Sequence, residues 1–318
     1  MGRADVVDAL FASCEALLVM RNTIARSPRE AAPVSSVDDA RASYVFARFR
    51  RQWAALTGAD IGADKRRVVE RRLGPVMRAH DVADLFELTL LIERNGNEAL
   101  IEEAIDAMTA SETSFFRDRA PFEAFRARIL PELMAARGRE RRLRIWCAAV
   151  STGQEAYSLA MMLDEAAREL RGWSLEILGT DISGAAIETA RKGIYTHFEV
   201  QQGLSTTHLL RYFHREEENW RVNEHLRARV AFGQFNLLSS PAELGAFDVI
   251  LCRNAVTSFA PEAKRGVLER LAGLLAEDGY LFLGDAETVD EAAPCFIPTA
   301  HPSVWRRRAR PRPRLSLV

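Results

Sequence analysis

The sequence predicts an α/β protein, in which a mainly parallel sheet is preceded by a small all-helical domain. Residues 38–108 repeat apolar side chains at helical spacing and contain no convincing strand. After Leu143 short apolar runs alternate with helical segments, as a parallel sheet with crossover helices requires. Residues 145–158 read as a buried strand, a tight turn with one glycine and a helix, which is typical of a nucleotide-cofactor site.

Three regions follow in chain order. Residues 1–36 are predicted to be a helical extension and a linker that holds two prolines. Residues 37–110 are predicted to form the helical domain. Residues 111–318 are predicted to form the sheet domain, with a basic, proline-broken tail at residues 305–314 that we expect to be frayed.

Within the sheet domain, the apolar runs and the capping, glycine and proline residues between them predict each element. Strands are predicted at residues 144–150, 175–180, 229–235, 247–252 and 280–283. Ser183 is expected to cap a helix that ends at Gly193, and Pro261 to open a helix that ends near Gly279. The polar residues 195–223 are expected to form helix and loop beside the sheet, with a short strand at 220–222.

The composition excludes several classes of protein. The chain has 318 residues, is 48% hydrophobic and carries a formal net charge of −1, so nothing drives it as a whole toward nucleic acid or a membrane. The four cysteines lie far apart without CxxC spacing, which predicts reduced thiols in the cytoplasm rather than a disulfide framework or a zinc site. Because neither a run of ~18 apolar residues nor a signal peptide is present, we expect no direct membrane insertion and no export.

The turn at residues 151–155 indicates a cofactor without phosphates. A dinucleotide-binding turn needs three glycines to bring backbone N–H groups to a pyrophosphate, and only Gly153 is present. Asp181 ends the second strand, where a carboxylate suits a ribose diol; it could instead cap the next helix, although Ser183 already offers that cap. Glu155 could accept from an α-amino group or simply complement the helix dipole.

A second constellation lies at residues 111–118, before the sheet. Phe115 and Phe116 followed by Arg117 would place a planar cation beside an apolar wall, which suits a carboxylate. The alternative is a capped helix, with both aromatic rings in a domain interface and Arg117 solvated.

The ordered motifs resemble the CheR-type chemotaxis receptor methyltransferases. They are ASETSFFRD, AVSTGQEAYS, GTDIS with ARKGIY, NLL, FDVILCRN and GYLFLGDAE. The resemblance begins at about Tyr44 and includes the helical domain. It implies a Rossmann-like S-adenosylmethionine-dependent methyltransferase domain that methylates glutamate side chains of chemoreceptors or related signalling proteins and releases S-adenosylhomocysteine.

The resemblance also implies a set of site residues. In the family's N-x-T-x-F-F-R motif the asparagine, threonine and arginine contact the cofactor; Ser111 replaces the asparagine, whereas Thr113 and Arg117 match. The other predicted cofactor contacts are Gly153, Glu155, Asp181, Asn236, Leu237, Arg253 and Asn254. We assign catalytic roles to Arg117 and Arg253.

Two residues on the substrate side differ from the pattern of the family. Ser258 stands where the family commonly has a tyrosine that helps to hold the substrate glutamate. Asp285 stands where the family has the histidine of GHSE, and a carboxylate there would repel an acidic substrate if it faced the pocket.

The helix predicted at residues 63–79 carries a basic stripe. At 100° per residue Arg67, Arg71 and Arg78 project together, away from the apolar face. The stripe could dock an acidic helical surface, as the resemblance also implies for the family's receptors, or it could be an ordinary solvated face. Aromatic residues are not interleaved with these basic residues in the way that stacks bases, so nucleic acid is not an expected partner.

The predicted chemistry needs no general base, because a glutamate carboxylate has a pKa of about 4.3 and is ionised near neutral pH. The six histidines are scattered, and no metal-binding spacing is present. Three functions stay open: a methyltransferase for chemoreceptor glutamates, an S-adenosylmethionine-binding regulatory protein with weak or altered transfer, and a methyltransferase for another acceptor. Ser258 and Asp285 favour the second and third.

Overall fold

The computed structural model describes residues 35–109, 112–289 and 295–308. The predicted N-terminal extension up to residue 34, Ser111 and the tail beyond residue 308 lie outside the described residues. The chain divides into two compact units, Met1–Ser43 and Tyr44–Val318, and helix α1 (Ser35–Thr57) begins in the first. No helix in the described ranges is both long enough and apolar enough to cross a membrane.

The first part of the second unit is helical, as predicted. After α1 come α2 (Arg66–Ala79), α3 (Leu85–Glu93) and α4 (Glu98–Met108). Asp84 accepts hydrogen bonds from the backbone N–H groups of Phe86 and Glu87, so it caps α3. One apolar core joins these helices through the buried side chains of Phe49, Trp53, Val69, Leu73, Leu88 and Leu100.

A helical segment of mixed geometry leads to the sheet. It consists of α5 (Ala120–Ala124), a π-helical stretch (Phe125–Ile129) and α6 (Leu130–Ala136). Phe122, Phe125, Ile129 and Leu133 are buried against the sheet core, so this segment covers part of one face of the sheet.

Seven of the described strands form one mostly parallel sheet, which confirms the predicted fold class. The strands are β1 (Arg142–Ala148), β2 (Ser174–Asp181), β6 (Val230–Gln234), β7 (Phe247–Leu251), β8 (Leu275–Phe282), β9 (Phe296–Pro298) and β10 (Val304–Arg307). Their order is β6-β2-β1-β7-β8-β10-β9. The pairs from β6 to β8 are parallel, and β10 runs antiparallel to β8 and β9.

Both faces of the sheet are buried, because alternate residues of β1 enter different cores. Ile145 and Cys147 pack into one core, whereas Trp146 and Ala148 pack into the other. The crossover helices α7 (Gln154–Glu165), α8 (Gly184–Lys192) and α12 (Pro261–Leu274) cover these faces. Ser183 caps α8 and Gly193 ends it in a left-handed conformation, as predicted.

Two element predictions were wrong. The helix opened by Pro261 ends at Leu274 instead of near Gly279, because the chain already pairs with β7 from Leu275. Gly279 lies so close to β7 that an added Cβ would approach the carbonyl oxygen of Asp248 within 2.9 Å. The start of the expected frayed tail forms β10, in which Trp305 pairs with Leu281.

A small antiparallel sheet lies within residues 194–222. Its order is β3 (Ile194–Tyr195), β5 (Asn219–Val222) and β4 (Phe213–Glu216), with the short helices α9 (His197–Gln201), α10 (Thr206–Tyr212) and α11 (Glu224–Arg227) nearby. The predicted strand at 220–222 corresponds to β5. Its partners were missed, because β3 is two residues long and β4 has a polar sequence.

Candidate functional site

A cavity of about 770 Å³ opens at the carboxyl ends of β1, β2, β6 and β7. Helices α1, α2 and α4 contribute Trp53, Val69 and Ile105 to its opposite wall. The cavity brings together most of the predicted site residues: Thr113, Arg117, Glu155, Asp181, Asn236, Leu237, Arg253, Asn254 and Ser258. This position is where open α/β sheets bind ligands.

The turn after β1 has an unusual backbone. Ala149, Ser151 and Gly153 have φ values of 61°, 56° and 97°, so the left-handed conformation recurs at every second residue. Gly153 is not part of the described cavity wall. Its missing side chain instead permits close packing, because a Cβ would lie 2.9 Å from that of Ala190 and 3.2 Å from the hydroxyl of Tyr195. Gly153 therefore allows the turn to pack against Ala190 and Tyr195, and its predicted contact with the cofactor stays a prediction.

Asp181 is a buried carboxylate that organises this turn. One oxygen accepts from the Ser151 N–H at 2.8 Å and the other from the Ser183 N–H at 3.0 Å. Burial raises the pKa of Asp181, while hydrogen bonds from the backbone of Ser183 and Ser151 oppose that rise. The carboxylate keeps accepting capacity beyond its backbone donors, which the hydroxyls of a ribose would use.

Glu155 and Arg253 form an ion pair at the end of β1. Arg253 Nη1 lies 3.1 Å from a Glu155 oxygen, and Nη2 lies 2.7 Å from an oxygen of Asp118. Burial raises the pKa of Glu155, and the positive charge of Arg253 opposes the rise. Because two carboxylates share one guanidinium, the cluster has a negative excess that suits a cationic ligand group.

Arg253 is nearly inaccessible, since its side chain is 2% exposed. Its Nη2 also donates to the carbonyl of Arg117 at 2.9 Å, and its guanidinium lies over the ring of Phe122. Its Nε is buried and has no hydrogen-bond partner in the described part of the chain. A ligand acceptor would satisfy this donor.

The turn that contains Thr113 and Arg117 is held against helix α7. The Phe116 N–H donates to the hydroxyl of Ser158 at 2.9 Å, and Phe115 packs edge-to-face on Tyr195 and Phe213. Arg117 is half-buried, lines the cavity and donates to the Glu112 carbonyl. The structure thus combines both interpretations of this constellation, with the aromatic rings packed inside and the arginine at the cavity.

Asn236 and Leu237 form the wall beyond β6. The Asn236 amide donates to the carbonyl of Leu56 at 2.8 Å, and its oxygen accepts from the Leu238 N–H at 2.9 Å. The side chain therefore joins this loop to α1. Leu237 is buried and supplies an apolar surface to the cavity.

The loop after β7 carries Asn254 and Ser258. Asn254 has a φ of 60°, and the Ser258 hydroxyl donates to the Ala255 carbonyl at 2.9 Å. The Ser258 carbonyl accepts from the Asp60 N–H at 2.7 Å, which brings the loop after α1 to the cavity mouth. Asp285 is exposed and does not line the described cavity wall, so the condition for its predicted repulsion of the substrate is not met.

The three arginines of the basic stripe are exposed and lie outside the cavity wall. Arg67, Arg71 and Arg78 occupy one side of α2, while Val68, Val69 and Arg72 of the same helix face the cavity. Helix α2 therefore presents one surface to the outside and another to the site.

Family comparison agrees with this geometry. Residues 111–303 match the CheR methyltransferase SAM-binding domain, and residues 45–109 match the CheR methyltransferase all-alpha domain. The chain belongs to the CheR methyltransferase family. The two matched ranges fall within the predicted domains at 37–110 and 111–318, whose bounds stay predictions.

Curated relatives of the CheR family cover most of the chain. Chemotaxis protein methyltransferase 1 of Pseudomonas aeruginosa is 41% identical over 249 residues, which are 77% of this chain and 90% of the relative. Chemotaxis protein methyltransferase Cher2 of Pseudomonas putida is 37% identical with the same coverage. The chemotaxis protein methyltransferase of Klebsiella aerogenes is 32% identical over 285 residues, which are 87% of this chain and 95% of the relative. The predictions of a chemotaxis methyltransferase and of S-adenosylmethionine as its cofactor are confirmed.

The donor set of this CheR-family cavity fits S-adenosylmethionine. Asp181 would accept from the ribose hydroxyls, Glu155 would face the α-ammonium and Arg117 would pair with the α-carboxylate. The wall at Asn236 and Leu237 would bound the adenine. When bound, the cofactor supplies a methyl group that its sulfonium makes electrophilic.

Two further residues of the site escaped the sequence reasoning. Asp118 pairs with Arg253, and buried Glu287 accepts hydrogen bonds from the loop of Asn254. Glu287 could have been found, since it is the acidic residue that GDAE keeps from the family's GHSE. Asp118 is the last residue of the constellation at residues 111–118, but nothing in its spacing points to an arginine 135 residues away.

Proposed function

We propose that this methyltransferase transfers the methyl group of S-adenosylmethionine to glutamate side chains of a chemoreceptor or a related signalling protein. The observation that carries the proposal is one continuous cavity, which runs from Asp181 past Glu155 and Arg253 to an open mouth at Ser258. The relatives act in chemotaxis by name, and the acceptor chemistry follows from the cavity's cations.

The site residues act by binding and orientation. Asp181 and Glu155 hold two ends of the cofactor, while Arg253 keeps Glu155 in place through the 3.1 Å ion pair. Arg117 pairs with the α-carboxylate of the cofactor, and Lys65 and Arg72 supply further positive charge on the cavity wall, which attracts a glutamate carboxylate. Fixing the carboxylate in line with the methyl group converts a bimolecular encounter into an intramolecular step.

The site needs no group to remove a proton. An acceptor carboxylate is already ionised near neutral pH, so its oxygen can attack the methyl carbon directly. No histidine lines the cavity in the described ranges, and these ranges hold no cluster of metal-ligating side chains. An ionised carboxylate acceptor suits this cavity, because its reaction needs no base.

We also propose where the reaction occurs and which surface meets the acceptor. The three cysteines among the described residues carry free thiols, which suits the cytoplasm. Arg67, Arg71 and Arg78 form an exposed basic surface for an acidic helical segment of the receptor.

A second candidate function rests on Ser258. Its hydroxyl is engaged with the Ala255 carbonyl, and it carries no aromatic ring toward the mouth. If the missing ring leaves acceptors unbound, the chain would be an S-adenosylmethionine-binding regulatory protein.

Transfer of labelled methyl separates these functions. The full chain is incubated with methyl-labelled S-adenosylmethionine and membranes that contain chemoreceptors, and the labelled protein is then treated with mild base. Label that base releases as methanol supports a glutamate ester, whereas base-stable label identifies another acceptor. Cofactor binding without label supports the regulatory protein.

The variant Ser258→Tyr tests whether the missing tyrosine ring limits acceptor binding. If the absent ring limits acceptor binding, this variant has a lower KM for the receptor and an unchanged affinity for S-adenosylhomocysteine. An unchanged KM would show that Ser258 is not the limiting feature.

A further inference from the structure

Glu287 is a buried carboxylate that accepts most of its hydrogen bonds from the loop after β7, which contributes to the cavity wall. It follows β8, is 3% exposed and accepts four hydrogen bonds. Two come from one residue of the loop after β7, Thr257, through its backbone N–H at 3.0 Å and its hydroxyl at 2.9 Å. The other two come from the backbone N–H groups of Asn254 at 2.7 Å and Gly284 at 2.8 Å.

The two oxygens of Glu287 serve different parts of the site. Oε2 holds the backbone of Asn254, which lines the cavity next to the Arg253 ion pair. Oε1 holds Thr257, whose neighbour Ser258 lies at the mouth. One rigid, planar group therefore sets the distance between the cofactor side and the acceptor side of the loop.

This arrangement requires a carboxylate of this length. All four partners are donors, so an amide would direct its own N–H group against two of them. Asn254 has a φ of 60°, an uncommon backbone conformation that persists only when its surroundings hold it. Gly284 permits the close approach, since an added Cβ would lie 2.5 Å from the Asn254 amide nitrogen.

We propose that Glu287 is a positioning residue for methyl transfer, which acts on the acceptor side through Thr257. This inference rests on the proposed function, because it assigns the loop from Thr257 to Ser258 to the acceptor. Thr257 itself is exposed and does not line the described cavity wall, so a change of its hydroxyl alters the loop without removing a contact to either ligand.

The variants Thr257→Val and Thr257→Ser form a matched pair. Valine has nearly the shape of threonine and lacks the hydroxyl, whereas serine keeps the hydroxyl and lacks the methyl. We expect Thr257→Val to lower kcat/KM for receptor methylation about tenfold and Thr257→Ser to retain the wild-type value. The affinity for S-adenosylhomocysteine, measured by calorimetry, is expected to change less than about twofold in both, because the bonds of Oε2 persist.

The variants Glu287→Gln and Glu287→Asp address both oxygens together. We expect each to weaken S-adenosylhomocysteine binding and to lower kcat/KM more than Thr257→Val does. Thermal unfolding of every variant shows whether it is folded, and the Thr257 pair still decides if a Glu287 variant fails to fold.

The outcomes distinguish this inference from the proposed function. If the wild type forms base-labile methyl esters and Thr257→Val matches it, the positioning role is wrong and the proposed function stands. Equal losses in Thr257→Val and Thr257→Ser also overturn the role, since the hydroxyl is then irrelevant. If the wild type transfers no label, the proposed function fails and the inference fails with it.

Discussion

Two kinds of carboxylate occur in this protein, and burial separates them. Glu93 and Glu176 lie near the surface, where hydrogen bonds from arginines lower their pKa values. Asp181 and Glu155 lie at the cavity, where burial raises their pKa values. The surface pairs add a little stability, whereas the cavity carboxylates hold an unfavourable charge that a ligand can relieve.

Asp181→Asn tests the ribose contact. The amide keeps one acceptor oxygen and turns an N–H group toward a backbone donor or the ligand, so we expect the affinity for S-adenosylhomocysteine to fall at least about tenfold. Isothermal titration calorimetry measures the change. Asp285→Asn is the matched control, because Asp285 is exposed and does not line the described cavity wall, and the affinity of this variant is expected to equal that of the wild type. Equal losses in both variants would exclude a specific contact at Asp181.

Cofactor affinity is expected to decline on acidification at a higher pH than ordinary carboxylates would cause. The ionised forms of Asp181 and Glu155 bind, and their pKa values are raised above the usual 3.8 and 4.5, so protonation begins above that range. The sign for stability is opposite. Because both folded-state pKa values are raised, ionisation of these groups as the pH rises lowers the free energy of unfolding.

The measurement compares the two quantities over the same pH range. Calorimetric affinities for S-adenosylhomocysteine are set beside the midpoints of denaturant unfolding, for the wild type and for Asp181→Asn. If the Asp181→Asn variant shows the same pH dependence of affinity as the wild type, Asp181 is not among the groups that control it.

At the scale of elements, the two ends of the sheet have different roles: one end forms the cavity, and the other carries ion pairs that stabilise the fold. The cavity lies at the carboxyl ends of the strands, whereas Arg137, which follows α6, forms ion pairs near the start of β7 and with β8. Its Nε donates to Asp248 at 2.8 Å and its Nη1 to Asp278 at 2.8 Å. This arginine joins the helical segment to two neighbouring strands.

Arg137→Met is expected to destabilise the fold without affecting the site. It leaves Asp248, which is 8% exposed, without its guanidinium partner, so we expect a loss of about 1–3 kcal/mol in the free energy of unfolding. Urea denaturation measures it. The control is Arg142→Met, which removes a pair with Glu176 that is exposed on both sides and contributes about 0–1 kcal/mol. Similar losses in both variants would mean that burial gives the Arg137 cluster no special weight.

At the scale of the molecule, helix α2 serves two surfaces at once. Its inner side closes the cavity with Val68, Val69 and Arg72, and its outer side carries Arg67, Arg71 and Arg78. The proposed function therefore assigns partner recognition and closure of the cavity to two sides of one helix.

Charge reversal of the outer side tests partner recognition. The triple variant Arg67→Glu, Arg71→Glu and Arg78→Glu is expected to raise KM for receptor methylation about tenfold or more at low ionic strength, and less at high salt. Its affinity for S-adenosylhomocysteine is expected to be unchanged. Reversal of the exposed Arg139, Arg168 and Arg171 changes the net charge equally and serves as the control. If both triple variants lose the same activity, the effect belongs to net charge and not to α2.

The sequence by itself determined the fold class, the succession of a helical and a sheet domain, and a cofactor without phosphates, which the resemblance of the ordered motifs to the CheR family named as S-adenosylmethionine. These features depend on local patterns: the period of apolar residues, the caps at Ser183 and Gly193, and one glycine in the turn after β1. Most of the predicted site residues line the cavity, because parallel strands bring their carboxyl ends to one edge.

Only the tertiary structure decided which of these residues share contacts. Gly153 packs behind the turn, Asp285 lies outside the cavity, and Asp118 and Glu287 enter the site through partners distant in sequence. Likewise β10 forms only because β8 pairs with it through backbone hydrogen bonds. The physical reason is the same in each case: burial, close approach and ion pairing depend on distances in space, which a local pattern of residues does not contain.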